Sequence, residues 1–169
     1  MTRHYAHRMP TIQRAFGLMD NGSLVGVVTF GPPASQWVKV SMFGKEWTGE
    51  LLELSRLVIT TKEKNAASFL IGQALRRLPK TTALVSYADQ GAGHVGYVYQ
   101  ATNWKYSGAS SPRTDPKNDG HPRHFSGDAT VRQDRSAKHR YWMCRDKAIE
   151  KACLWASISY PKGETRRHP

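Results

Sequence analysis

Residues 86–108 read SYADQGAGHVGYVYQATNWKYSG, a run holding one carboxylate, a histidine between glycines, four tyrosines, a Trp and an Asn. A strand ending at Asp89, a glycine-rich turn, a helix over residues 94–104 and a return strand over residues 105–109 account for the pattern. A strand passing through glycines into a helix places the chain among α/β folds. In such sheets ligands sit beyond the carboxyl ends of the strands, so the same run is also a candidate site.

Working outward, TIQRAFGLMDNGSLVGVVTFG (11–31) gives two strands joined at Asp20-Asn21-Gly22, the strongest short hairpin signal a sequence carries. Pro32 and Pro33 end the second strand, because proline cannot continue a ladder. ELLELSRLVI (50–59) reads as a third strand, nearly continuous in apolar residues except for Glu53, Ser55 and Arg56. Ala67, Leu70, Ile71, Ala74, Leu75 and Leu78 then recur at helical spacing, with Asn65 expected as N-cap and Pro79 as stop. A strand over residues 83–89 leads into the opening run. Residues 110–138 change character, rich in Pro, Gly, Asp and Arg, and are expected to form a long basic loop or insertion. HRYWM (139–143) is strand-like, DKAIEKACLWA (146–156) suits a short helix, and residues 161–169 form a basic tail. There are no internal repeats.

A chain of 169 residues is sized for one domain, and one of this length buries about 70% of its unfolded surface. With 39% hydrophobic residues and no run near the ~18 apolar residues that span a bilayer, the expectation is a globular, cytoplasmic protein. The opening MTRHYAHRMP has no apolar core of a signal peptide. Cys144 and Cys153 cannot build a disulfide framework and lack zinc-pair spacing, so two reduced thiols are expected. Twenty-five Lys and Arg against 13 Asp and Glu leave +12, a field that captures polyanions. Nucleic acid is the first partner this implies, with a merely solubilising surface as the alternative. A membrane surface fits less well, because the basic residues are scattered through loops.

Two loop-to-helix junctions compete as sites. The first, TTKEKNAAS (60–68), offers Lys62, Lys64 and Asn65 beside helix N–H groups, which suits a phosphate or only a solvated cap. The second, ADQGAGHVG (88–96), ends its strand on Asp89, a candidate base, or only a helix cap. His94 is expected in the first helical turn, where the positive helix end favours a neutral, proton-accepting imidazole. Tyr99 and Asn103, four apart, would share a helix face. The tyrosines could equally be packing residues. His4-x-x-His7 and His121-x-x-His124 have metal-like spacing without a carboxylate nearby, so no metal site is assigned and a metal requirement stays open. Lys138, His139, Arg140, Tyr141 and Trp142 interleave basic and aromatic residues, as phosphate contact with base stacking requires.

These elements in this order resemble the central part of the GNAT acyltransferase fold, a mixed, mostly antiparallel sheet flanked by helices in a single domain. More narrowly, His4-Tyr5, ELSRL (53–57), YAD with GHVGYVYQATNW (87–104) and KHRY (138–141) together resemble the Mom family of phage DNA-modification proteins, over residues 4–162. The resemblance implies an enzyme that converts adenine in DNA to N6-carbamoylmethyladenine and so protects phage DNA from host restriction. It implies a pocket containing His4, Tyr5, Ser55, Arg56, Asp89, His94, Tyr99 and Asn103, with Asp89 and Tyr99 as the central pair. Where ordinary GNAT enzymes hold the coenzyme A pyrophosphate on an Arg/Gln-x-x-Gly-x-Gly/Ala loop, residues 62–67 here contain no glycine. That argues against an acetyl-CoA-type thioester and leaves the donor open, with glycyl-tRNA as a candidate. Adenine N6 is paired in duplex DNA, so the base must be flipped or met on an exposed strand, and Trp104, Trp142 and the 110–140 loop are the expected stacking and phosphate-gripping elements. A GNAT-fold N-acyltransferase of protein or small amines and a non-enzymatic nucleic-acid binder are the alternatives; a homodimer is compatible with all three.

Overall fold

The computed structural model describes residues 10–116 and 130–163. The expected site residues His4 and Tyr5, with His7, His121 and His124, lie outside the described residues.

Strands β1 (Arg14–Asp20) and β2 (Ser23–Gly31) pair antiparallel through Asn21 and Gly22, whose φ values of 45° and 80° are those an Asn-Gly hairpin turn demands. Helix α1 (Gln36–Phe43) follows, in a stretch the sequence reading left without an element. Its signals are present in hindsight: the Ser35 side chain accepts from the Trp37 N–H, and Gly44 at φ 84° ends the helix. Next come β3 (Leu51–Ile59), helix α2 (Ala66–Arg77) and β4 (Ala83–Asp89). Asn65 occupies the N-cap position of α2 but is left-handed, φ 63°, and makes no side-chain capping bond, so the expected cap is not formed. Leu78 leaves the helix in an extended conformation, as a residue before proline must.

Helix α3 (Tyr97–Gln100) is a single turn, much shorter than the 94–104 helix expected. Gly93 and Gly96 adopt φ 70° and 82°, which a right-handed helix cannot contain, and Asn103 at φ 62° closes the other end. His94 therefore stands in the loop before α3, not in a helical first turn. The remaining elements are β5 (Lys105–Ala109), β6 (Arg113–Pro116), β7 (Arg132–Arg135), β8 (Lys138–Met143) and helix α4 (Lys147–Ala152), capped by Asp146. The segment expected as a long basic loop or insertion carries a two-stranded ribbon, β6 against β7, braced by Arg113 and Arg135 on Asp115.

The main sheet has the order β1-β2-β3-β4-β8-β5. It is the mixed, mostly antiparallel sheet expected: β3 and β4 form its parallel pair, and β8 separates β4 from β5. Alternation sends Leu84, Ser86 and Ala88 to the face covered by α2 and α3, where Phe30, Ile71, Trp104 and Tyr141 form the larger core. Ala83 and Val85 face α1 and α4 with Met42, Phe43 and Trp142. Burying each large side chain contributes about 1.5–3 kcal/mol relative to leaving it exposed. Cys144 and Cys153 are free thiols on this second side, burial pushing Cys144 up to about 12. Among the described residues no helix is long and apolar enough to cross a membrane.

One irregularity positions everything that follows. On β2, Thr29 pairs with Arg56 and the next residue, Phe30, pairs with Leu54, so Ser55 is an extra residue, a β-bulge. The bulge inverts the alternation. Leu52 and Leu54 face the larger core before it, and Leu57 and Ile59 face the same core after it. That is why the strand looked nearly continuous in apolar residues.

Candidate functional site

The parallel pairing of β3 and β4 lasts three residues: Leu51 with Ala83, Leu52 with Leu84, Glu53 with Val85. Beyond Glu53 the bulged β3 follows β2, while β4 follows β8, and the sheet opens as a wedge. Divergence strips backbone groups of their ladder partners, and a buried one must find a substitute. The Leu54 carbonyl finds it in Ser86, whose hydroxyl donates to it at 2.9 Å.

The wedge is a cavity of about 280 Å³. Glu53, Ser55, Arg56 and Leu57 line it from β3, Tyr87 and Ala88 from β4, and Lys138 from β8. His94 and Gly96 line it from the loop, and Tyr97, Val98 and Tyr99 from α3. The Tyr99 ring is buried, packed against Trp104 and Tyr141 with centroids 5.4 and 5.1 Å away. Its hydroxyl oxygen lies 2.8 Å from the Ser86 hydroxyl. Ser86 has one proton to give, so while that proton is on the Leu54 carbonyl, Tyr99 supplies the proton of the contact between them.

Glu53 is the residue sequence reasoning passed over. Desolvation raises its carboxyl above the ordinary range, against the opposing pull of the Ala34 N–H and of the Lys138 and Arg56 charges. The Ala34 N–H donates to Glu53 Oε2 at 3.3 Å. Tyr87 beside it is pushed up to about 12 by burial and by the Glu53 charge. The signal was a lone carboxylate inside an apolar strand, the arrangement that marks functional groups.

The other expected residues are placed as follows. Ser55, Arg56, His94, Tyr99 and Lys138 converge on the cavity. Asp89 does not line it. Its Oδ1 accepts from the Gly91 N–H at 2.9 Å and from the Ser136 hydroxyl, and its Oδ2 lies 3.7 Å from the Lys138 ammonium. Asp89 thus reaches the cavity through Lys138. His139 points to the Tyr106 hydroxyl, 2.8 Å from Nδ1, where burial lowers its pKa. Arg140 lies over the Trp155 ring and donates to the Ser107 carbonyl. Tyr141 is fully buried, donating to the Val95 carbonyl at 2.5 Å. A side chain at Gly96 would come within 2.5 Å of its ring. Asn103 is exposed beyond α3 and shares no helix face with Tyr99, because the helix has ended. Trp104 and Trp142, expected to stack on a base, are in the two cores, 0% and 3% exposed. Lys64 and Asn65 line a separate groove at the start of α2 with Met19 and Phe69, and Lys62 is exposed nearby. Among the described residues no three His, Cys, Asp or Glu side chains cluster as a metal would require.

By fold and site this is a single mixed α/β domain whose central sheet is prised apart by a bulge to make a polar cavity. The chain belongs to the Mom protein family, whose model matches residues 1–162. Among solved structures it is similar to an N-acetyltransferase from Staphylococcus aureus Mu50, at 18% identity and a TM-score of 0.46, over 78% of this chain and 67% of that one. It is also similar to the GphF GNAT-like decarboxylase in complex with isobutyryl-CoA, at 14% identity and a TM-score of 0.47, over 79% of each chain. Comparison with curated protein sequences gives no match.

Proposed function

We propose that this chain is a transferase that converts adenine in DNA to N6-carbamoylmethyladenine and thereby protects phage DNA from restriction. Membership of the Mom family supports phage DNA modification. The observation that carries the finer reading is the wedge cavity, closed at its apex by the Glu53–Val85 rung and lined by the Glu53 carboxyl, the cations Arg56 and Lys138, and three tyrosines. A flipped base needs such a recess, with polar groups for its edge and cations for its flanking phosphates. Arg56 and Lys138 suit that grip, Asp89 orients Lys138, and the Tyr99–Ser86 pair presents a phenol whose proton direction is set by its neighbours. The +12 charge concentrates DNA around the site and speeds its capture.

For the donor, residues 62–67 carry no glycine that would let a pyrophosphate approach the backbone, and the reading favours an RNA-borne glycyl group over a thioester. Exposed Lys62 and Lys64 beside an apolar groove suit its phosphates and terminal base. The test is mass spectrometry of nucleosides from plasmid DNA of cells expressing the protein. N6-carbamoylmethyldeoxyadenosine is expected, and Tyr99→Phe is expected to abolish it while remaining folded. Unaltered deoxyadenosine from well-expressed wild type overturns the reading, and full activity in Tyr99→Phe removes the phenol from the chemistry.

A further inference from the structure

Glu53 is a carboxyl with its polarity already assigned. Its Oε2 receives the Ala34 N–H, which makes Oε2 the acceptor oxygen and leaves Oε1 to carry any proton. It stands at the apex of the wedge, on the last rung shared by β3 and β4, where the end of an inserted planar group would arrive. A protonated carboxyl offers one acceptor and one donor side by side. Adenine offers the complement on its Watson–Crick edge, a donating N6 amine next to the accepting N1.

We propose that Glu53, as the neutral acid, is the residue that reads adenine: Oε2 accepts from the N6 amine and Oε1–H donates to N1. This rests on the DNA-adenine reading above and gives it a specificity determinant. Guanine in the same pose presents O6 and N1–H, an acceptor and a donor reversed against the pinned oxygens, and meets two mismatches. Leaving a desolvated polar group unpaired is what makes such a site selective. Oε2 has a second lone pair for the amine after taking the Ala34 N–H, so both bonds can be made at once.

The groups facing Glu53 from each packed element are Arg56 on its own strand, Tyr87 on β4, Lys138 on β8 and the Ala34 N–H from the loop before α1, with His94 across the cavity. The two cations favour the carboxylate, and desolvation outweighs them. An aromatic base filling the cavity desolvates the carboxyl further and strengthens the acid form.

The experiment uses the full chain and a short single-stranded oligonucleotide carrying one adenine among thymines, with binding followed by fluorescence anisotropy. Replacing that adenine by purine, which lacks the amine, or by 1-deazaadenine, which lacks the acceptor, is expected to weaken binding about tenfold each. Glu53→Gln keeps an acceptor and a donor without titrating, so it is expected to retain adenine preference and to lose the weakening that wild type shows as pH rises. Glu53→Ala is expected to bind all three oligonucleotides equally. Equal binding of the three by wild type overturns the proposal whether or not the protein modifies DNA. A folded Glu53→Gln that has lost adenine preference also overturns it, and points to a carboxylate acting as base. Failure of the proposed function is read separately, as unaltered deoxyadenosine from wild-type cells.

Discussion

Ser86 is 0% exposed and holds the wedge at its apex, satisfying a Leu54 carbonyl that strand divergence has left without a ladder partner. Ser86→Ala removes the hydroxyl that serves that carbonyl and the contact to Tyr99, and should lower unfolding stability by about 1–3 kcal/mol in chemical denaturation. A variant as stable as wild type would mean that water enters the wedge freely. Glu53 makes a prediction with pH. Its carboxyl binds a proton more tightly folded than unfolded, so between its ordinary value of 4.5 and the raised folded value the native state holds more protons. Stability contributed by the protonated group is complete below that window and is lost as pH rises through it. Glu53→Gln abolishes the titration, so its melting temperature relative to wild type should climb as pH is raised from 4.5; a pH-independent difference would refute the burial. At this scale the sequence made Asp89 conspicuous, whereas the cavity is lined by Glu53. Asp89 ends a strand before a glycine-rich turn, a position legible from local pattern, whereas Glu53 becomes a cavity residue only through a bulge and a neighbouring strand more than 30 residues away.

At the scale of elements, the hairpin at Asn21-Gly22, the strands β3, β4 and β5 and the course of α2 were legible because each is fixed by near-neighbour chemistry. α3 was overextended because Val95, Tyr97, Val98 and Tyr99 imitate helical spacing, while Gly93 and Gly96 take the left-handed conformations that exclude it. α1 was overlooked between two prolines and a glycine, although Ser35 and Gly44 bracket it. The bulge was invisible for a different reason: its only trace is a change of parity in the apolar pattern of β3, from Leu52 and Leu54 to Leu57 and Ile59. Deleting Ser55 removes the extra residue and makes the strand regular, leaving Thr29 opposite Arg56 and Leu57 and Ile59 on the core face, so the protein should stay folded by circular dichroism, while DNA modification should fall because the bend that opens the wedge is gone. Ser55→Ala keeps the bulge, gives up the contacts to Thr29 at 3.2 and 3.3 Å, and should lower stability by about 1 kcal/mol. If the deletion left modification at the wild-type level, the bulge would be incidental to the cavity.

For the whole molecule, the chain beyond α4 connects the far edge of the sheet to the cavity. The Ile158 N–H donates to the Tyr106 carbonyl at 2.8 Å and so occupies part of the open edge of β5. Tyr160 donates to the Trp104 carbonyl at 2.7 Å, and Tyr97, which lines the cavity, donates to the Gly163 carbonyl. The strap therefore holds α3 from outside while Tyr141 holds it from beneath. Truncation after Ser157 should uncover the β5 edge, lower the melting temperature by about 4–8 °C and reduce DNA modification, because the wall carrying Tyr97 and Tyr99 loses its outer support. Truncation after Gly163 separates this from charge. It keeps the strap bonds of Ile158, Tyr160 and Gly163 while removing Arg166 and Arg167, so the melting temperature should hold and DNA affinity should fall with a shallower dependence on salt. If the longer truncation leaves both melting temperature and modification at wild-type values, the strap is a passive covering and the cavity wall is set by the sheet alone.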